Sequence, residues 1–177
     1  ASYYNILYSK SFFDFYNDCL KSAMNEEVFN LIRWIIESLF SFDDIDENMN
    51  LILLRSDVFI SLLDFFDNQN LIRVEDKELT LKIILYAIDL DYSKDFLDDN
   101  DKKRIDRCLS ILITELIGTS NEILLSLIIK GIYYISQLDD KFGFNKRIIN
   151  EGVSSKLLKF LFTSINLDEY CLKIINY

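Results

Sequence analysis

The chain has 177 residues, of which four are Gly and none is Pro or His, and its 19 basic and 29 acidic residues give a net charge of −10. The scarcity of Gly and Pro argues against β-sandwiches, barrels and Gly-rich phosphate loops. The absence of His excludes histidine acid–base catalysis, Ser–His and Cys–His nucleophile pairs and the commonest zinc sites. The negative charge disfavours nucleic acid and anionic membranes as partners and favours basic polypeptides. These features predict an acidic helical protein that is not an enzyme and carries no cofactor.

The length predicts one domain with a sizeable core. The cysteines Cys19, Cys108 and Cys171 are odd in number and lie in apolar helical patterns, so we expect reduced, buried thiols in an intracellular protein. Charged residues interrupt every long apolar run, and no signal peptide is visible at the start. The first residue is not Met and the apolar pattern runs to the last residue, so we expect a piece of a longer helical array.

Helical periodicity runs along nearly the whole chain. In residues 28–39 the apolar side chains recur at alternating spacings of three and one, which places them on one face of a helix. The same periodicity continues, in chain order, at residues 79–88, 105–117, 123–135 and 157–162. Short polar breaks separate these runs, and Asn25 and Ser120 stand where helix N-caps are expected. The pattern predicts an all-α chain of about nine to eleven helices.

Two segments of the chain are similar to each other. Residues 53–66 align with residues 148–161 over fourteen positions without a gap, at an offset of 95, with Val, Leu, Leu and Phe identical. A spacing of 48 residues separates Trp34, Lys82 and Lys130, and Lys173 follows 43 residues later. A helical period of this size is typical of armadillo and HEAT arrays, the alternative being a chance alignment of apolar helices.

Residues 121–177 resemble an armadillo repeat of the importin-α (karyopherin-α) type, in divergent form. In that family a long third helix is followed by a short first helix ending in Gly, and then by a second helix with a Leu-Leu-like core. The run Glu151-Gly152-Val153 followed by Leu157-Leu158 reproduces this junction. Gly permits a left-handed backbone between two nearly perpendicular helices, and Asp57, at the equivalent place, tolerates it better than most residues.

The resemblance covers nearly the whole chain and implies a right-handed α-α superhelix, an armadillo-type solenoid of about four repeats that forms a single domain over residues 1–177. Third helices are then expected near 26–40, 76–90, 121–137 and 167–177. First and second helices are expected near 47–55 and 57–67, 93–100 and 102–117, and 142–151 and 153–163, with residues 3–24 supplying those of a leading repeat.

The third helices of importin-α-like proteins line a concave groove that binds basic nuclear localisation peptides. Each typical repeat places there a Trp that packs on Lys or Arg stems and, one turn later, an Asn that hydrogen-bonds the peptide backbone. The resemblance assigns the Trp places to Trp34, Lys82, Lys130 and Lys173, and the Asn places to Ser38, Tyr86, Tyr134 and Tyr177. These eight residues are the predicted peptide groove of an import adaptor found in cytoplasm and nucleus.

An armadillo or HEAT scaffold that binds other proteins without recognising localisation peptides is the alternative function. It is favoured by the loss of three Trp and every Asn, since a Lys at a Trp place would repel a basic peptide. The recurring Lys-then-Tyr pairs are either a ladder of charge, rings and hydroxyls or solvated lysines beside tyrosines packed at repeat edges. Trp34 is expected either in the groove or in the core.

The acidic runs of the sequence are expected to be solvated loops between helices, the alternative being an acidic rim that attracts basic partners. They lie at residues 43–47 and 95–101. Residues 95–106 lack the central Gly of an EF-hand loop, so the sequence predicts no metal site there.

Overall fold

The computed structural model describes residues 49–67, 74–90, 94–138, 142–161 and 174. Within these ranges the backbone forms helices and no strand. The helices are α1 (Met49–Arg55), α2 (Asp57–Asp67), α3 (Val74–Ile88), a 3₁₀ turn (Lys94–Phe96), α4 (Asp99–Gly118), α5 (Glu122–Ser136), α6 (Phe144–Asn150) and α7 (Val153–Leu161). The predicted all-α class is confirmed for this part of the chain. The helices predicted over 3–40 and 167–177 lie outside it, apart from residue 174.

The helix bounds repeat along the chain at the two offsets found in the sequence. Helices α1 and α6 are both seven residues long and are offset by 95. Helices α3 and α5 are both fifteen residues long and are offset by 48. Among the described helices, only α1 to α3 follow one another as a short, an intermediate and a long helix, because α4 has 20 residues and is longer than α5.

The start of α4 differs from the prediction. Residues 93–100 are predicted as a helix, but over the described residues 94–98 only a 3₁₀ turn forms, and the α-helix begins at Asp99 rather than near residue 102. The reason is a capping box at Asp98, whose carboxylate accepts from the backbone N–H groups of Asn100 and Asp101 while Asp101 accepts from the N–H of Asp98. The hydrogen bonds from the Asp101 and Asn100 amides lower the pKa of Asp98.

The other predicted caps and junctions are met in part. Gly152 has a φ of 74°, so the left-handed turn predicted between α6 and α7 is confirmed. Asp57, its counterpart, is instead the first residue of α2, and the Ser56 hydroxyl donates to the Leu53 carbonyl at 2.7 Å. The N-cap of α5 is Asn121 rather than the predicted Ser120.

One apolar core joins the described helices. Helix α5 contacts α3, α4 and α6, while α1 packs on α3 and α2 packs on α4. The helices approach closely at Gly131 of α5, where an added Cβ would stand 2.9 Å from a methyl of Leu85 on α3 and 2.9 Å from a methyl of Leu112 on α4. Because both leucines are buried, those methyl groups have little room to move.

Ion pairs and hydrogen bonds made by arginine side chains, called arginine joints below, connect consecutive helical units. The Arg55 guanidinium at the end of α1 holds the buried Asp101 carboxylate of α4 through Nε–Oδ1 at 3.0 Å and Nη2–Oδ2 at 2.6 Å. Arg104 of α4 donates hydrogen bonds to the backbone carbonyls of Leu54 and Ser56, so these carbonyl groups at the end of α1 have hydrogen-bond partners. Arg147 of α6 makes a similar joint to α4 through Asp106 and Ser110. Arginine side chains thus fix how each unit meets the next.

We expect Gly131→Val to lower the free energy of unfolding by about 1–3 kcal/mol, because the added methyl groups overpack the contact with Leu85 and Leu112. Gly118→Val is the matched control, since nothing lies within 4 Å of a Cβ built there, and its effect should stay below about 0.5 kcal/mol. Urea unfolding of both variants measures the difference. Equal destabilisation would contradict the close approach at Gly131.

We expect Arg55→Met to destabilise the chain by about 1–3 kcal/mol, because it leaves the Asp101 carboxylate, only 1% exposed, without its charged partner. Arg107→Met removes the pair between Arg107 and Asp64, whose side chains are 36% and 51% exposed. Its expected cost is below about 1 kcal/mol because solvent screens that pair. Urea unfolding of both variants measures the two costs. Equal destabilisation would show that the Arg55–Asp101 pair contributes no more than an exposed ion pair.

Candidate functional site

The structure places half of the predicted groove residues. Lys82 and Tyr86 lie on α3, and Lys130 and Tyr134 lie on α5. The four others lie outside the described residues: Trp34, Ser38, Lys173 and Tyr177. The candidate site described below, the third-helix face, is therefore the surface of α3 and α5 that carries the two Lys–Tyr pairs.

The two pairs occupy equivalent positions on neighbouring helices. Each Lys is the ninth residue of its fifteen-residue helix, and each Tyr follows one turn later. Leu85, next to Tyr86, packs against Gly131, next to Lys130, so the middle of α3 meets the middle of α5 at the level of both pairs. The packing thus brings together residues that are 48 positions apart in sequence.

The two lysines have different partners. The Lys82 ammonium forms an ion pair with Glu78 one turn earlier, at an Nζ–Oε1 distance of 2.7 Å. At the position equivalent to Glu78, α5 carries the exposed residue Ser126. The Lys130 ammonium lies 5.4 Å from the ring centroid of Tyr134 and has no carboxylate within ion-pair distance among the described residues. Among the residues that the structure describes, the Lys82 ammonium therefore has a carboxylate partner and the Lys130 ammonium has none.

The tyrosines are partly buried, and their side chains lack the amide group with which an Asn would hydrogen-bond a peptide backbone. The Tyr86 side chain is half-buried and its hydroxyl oxygen is buried. The Tyr134 side chain is half-buried, and its ring centroid lies 5.4 Å from the Lys130 ammonium and 6.2 Å from the ring centroid of Tyr133. At these positions the face offers ring surface and an ammonium, which can hold an extended chain by apolar contact and charge pairing.

Glu78, Ser126 and Tyr133 belong to this face and were not singled out from the sequence. The spacing of Glu78 and Lys82, four residues apart on a predicted helix, is a known signal for an ion pair and identifies Glu78. Ser126 is identified only by comparison with Glu78, which occupies the equivalent position 48 residues earlier. No sequence signal marks Tyr133, because its position follows from how α5 packs.

The acidic run 95–101 is only partly a solvated loop. Asp95, Asp98 and Asp99 are exposed, as expected, but the prediction is wrong for Asp101, which is buried. The cause is the bidentate contact with Arg55, which compensates the carboxylate in the packed interface. The run 43–47 lies outside the described residues.

The described part of the chain contains little that resembles a catalytic or metal centre. Burial raises the pKa of the Cys108 thiol to about 12, so Cys108 is the buried apolar residue that the sequence predicts and not a reactive thiolate. Cys19 and Cys171 lie outside this part. Among the described residues no three Asp, Glu, His or Cys side chains are grouped as metal ligands. None of the described helices is both long and apolar enough to cross a membrane.

Compared with known protein families, curated proteins and solved structures, the chain matches none.

Proposed function

We propose that this chain is a protein-binding module built as an armadillo-type α-solenoid, and that it holds its partner on the third-helix face. The observation that carries the proposal is the repetition of helix bounds, at offsets of 48 for α3 and α5 and of 95 for α1 and α6. Repeated helical units that stack on one another create an extended surface from equivalent positions, and such surfaces bind polypeptides.

The stacking contacts support the solenoid interpretation. In a solenoid each unit contacts only its neighbours, so equivalent helices of adjacent units lie side by side. Helix α3 contacts α5, and α2 contacts α4, as this arrangement requires. The left-handed Gly152 between α6 and α7 fits the junction of first and second helices in an armadillo repeat. We propose a right-handed superhelix of about four such repeats.

A scaffold that binds folded or extended proteins fits the third-helix face better than a receptor for basic peptides. At the two described repeats, Lys82 and Lys130 stand where the import receptors of the resembled family carry Trp. An ammonium there offers no ring face to a basic side chain and repels its charge. The surface instead combines the tyrosine rings with one ammonium that has a carboxylate partner and one that has none among the described residues.

An importin-α-type nuclear import adaptor is the second candidate. It is favoured by the net charge of −10, which attracts basic segments, and by Trp34 at the first position of the 48-residue series. On this reading Trp34 packs on a Lys or Arg stem of a nuclear localisation peptide.

The scaffold proposal is tested by affinity capture from cell extract with three forms of the full chain. We expect partners captured by the wild type to be lost with the double variant Lys82→Glu/Lys130→Glu, because it reverses charge on the third-helix face. The double variant Lys103→Glu/Lys146→Glu, which makes the same charge change at exposed positions of α4 and α6, is the matched control and should retain them. Partners that are unaffected by the double variant would show that binding does not use this face.

The import candidate is tested by calorimetric titration of the full chain with a basic nuclear localisation peptide at low salt. If Trp34 is a groove residue, Trp34→Ala should weaken binding by about 1–3 kcal/mol, which is about five- to 150-fold in Kd. An unchanged Kd places Trp34 in the core, and the absence of binding heat in the wild type contradicts the import candidate.

A further inference from the structure

The two described repeats of the third-helix face differ in one charge. Glu78 compensates Lys82 through an ion pair between residues one turn apart. Its equivalent on α5 is Ser126, which carries no charge, so the Lys130 ammonium beside the Tyr134 ring has no carboxylate partner among the described residues. An aromatic ring attracts a cation without neutralising it, and the ammonium keeps N–H donors for an anionic group.

We propose that the third-helix face binds an acidic peptide segment, with a carboxylate of the segment pairing with Lys130 and its neighbouring residues packing on Tyr134. This inference rests on the proposed function of the face as a protein-binding surface. A carboxylate is the group of a polypeptide that pairs with an ammonium, and a half-buried ring beside it supplies apolar contact for the stem of an Asp or Glu side chain.

The net charge of −10 does not prevent this pairing. At about 0.15 M ionic strength the Debye length is about 8 Å, so carboxylates farther away are largely screened. The nearest acidic residue on the same stripe of α5 is Glu122, two turns before Lys130 and therefore about 12 Å along the helix axis. On α5 itself, the charge at this point is therefore that of the Lys130 ammonium.

The test uses fluorescence anisotropy with the full chain and three labelled peptides of about twelve residues, long enough in extended form to cross both helices. One alternates Glu and Ser, one replaces every Glu by Gln, and one replaces every Glu by Lys. We expect the Glu peptide to bind more tightly than the Gln peptide, and the Lys peptide to bind most weakly.

Variants of the face locate the binding. Lys130→Gln should weaken binding of the Glu peptide about three- to tenfold, whereas Lys103→Gln, the same charge change at an exposed position of α4, should leave it unchanged. Ser126→Glu should weaken it to a similar extent, because it gives Lys130 the intrahelical partner that Lys82 already has. Glu78→Gln should strengthen binding about two- to fivefold by releasing Lys82. Circular dichroism melting curves identify any variant that fails to fold.

Each result decides the inference. The inference is supported if Lys130→Gln and Ser126→Glu weaken binding of the Glu peptide and Glu78→Gln strengthens it. If these variants leave the affinity for the Glu peptide unchanged, the inference is wrong. Preferential binding of the Lys peptide also overturns it, and would favour the import-adaptor candidate instead. If no peptide binds, the inference fails, and the affinity-capture experiment separately decides whether the proposed function fails with it.

Discussion

The close approach of α5 to α3 and α4 at Gly131 is the contact on which the described structure depends. Without a Cβ at that position, the methyl groups of Leu85 and Leu112 reach the α5 backbone. Because α5 also contacts α6, this helix links the units on both sides of it. The same contact sets the two Lys–Tyr pairs side by side, so the core packing and the candidate binding surface have one physical origin.

Arginine joints complement this apolar contact at the outer helices. Arg55, Arg104 and Arg147 each cross from one helical unit to another and bind carboxylate or carbonyl oxygens there. The planar guanidinium suits this role because its fixed fork can satisfy several acceptors at a helix end. Some of the few basic side chains of this acidic protein are thus engaged in contacts between its own helices.

The third-helix face shows how a repeated structure can vary its chemistry. Packing keeps Lys82 and Lys130 at equivalent helix positions, and the residue four positions earlier decides whether each charge is available. Glu78 forms an ion pair with one lysine, whereas Ser126, at the equivalent position, gives the other no such partner on its own helix. A single surface substitution can therefore change the charge at one of two equivalent helix positions, since such a change leaves the core between the helices untouched.

The sequence by itself determined the all-α class, most helix bounds and the 48- and 95-residue offsets, because helical periodicity and the glycine turn at Gly152 are local properties of the chain. Ion-pair spacing also identifies Glu78 beside Lys82. Only the tertiary structure decided the burial of Asp101 and the role of Gly131. Arg55 and Asp101 are 46 residues apart, and Gly131 meets leucines of two other helices. Contacts between distant segments leave no local pattern, so they become visible only once the helices are packed.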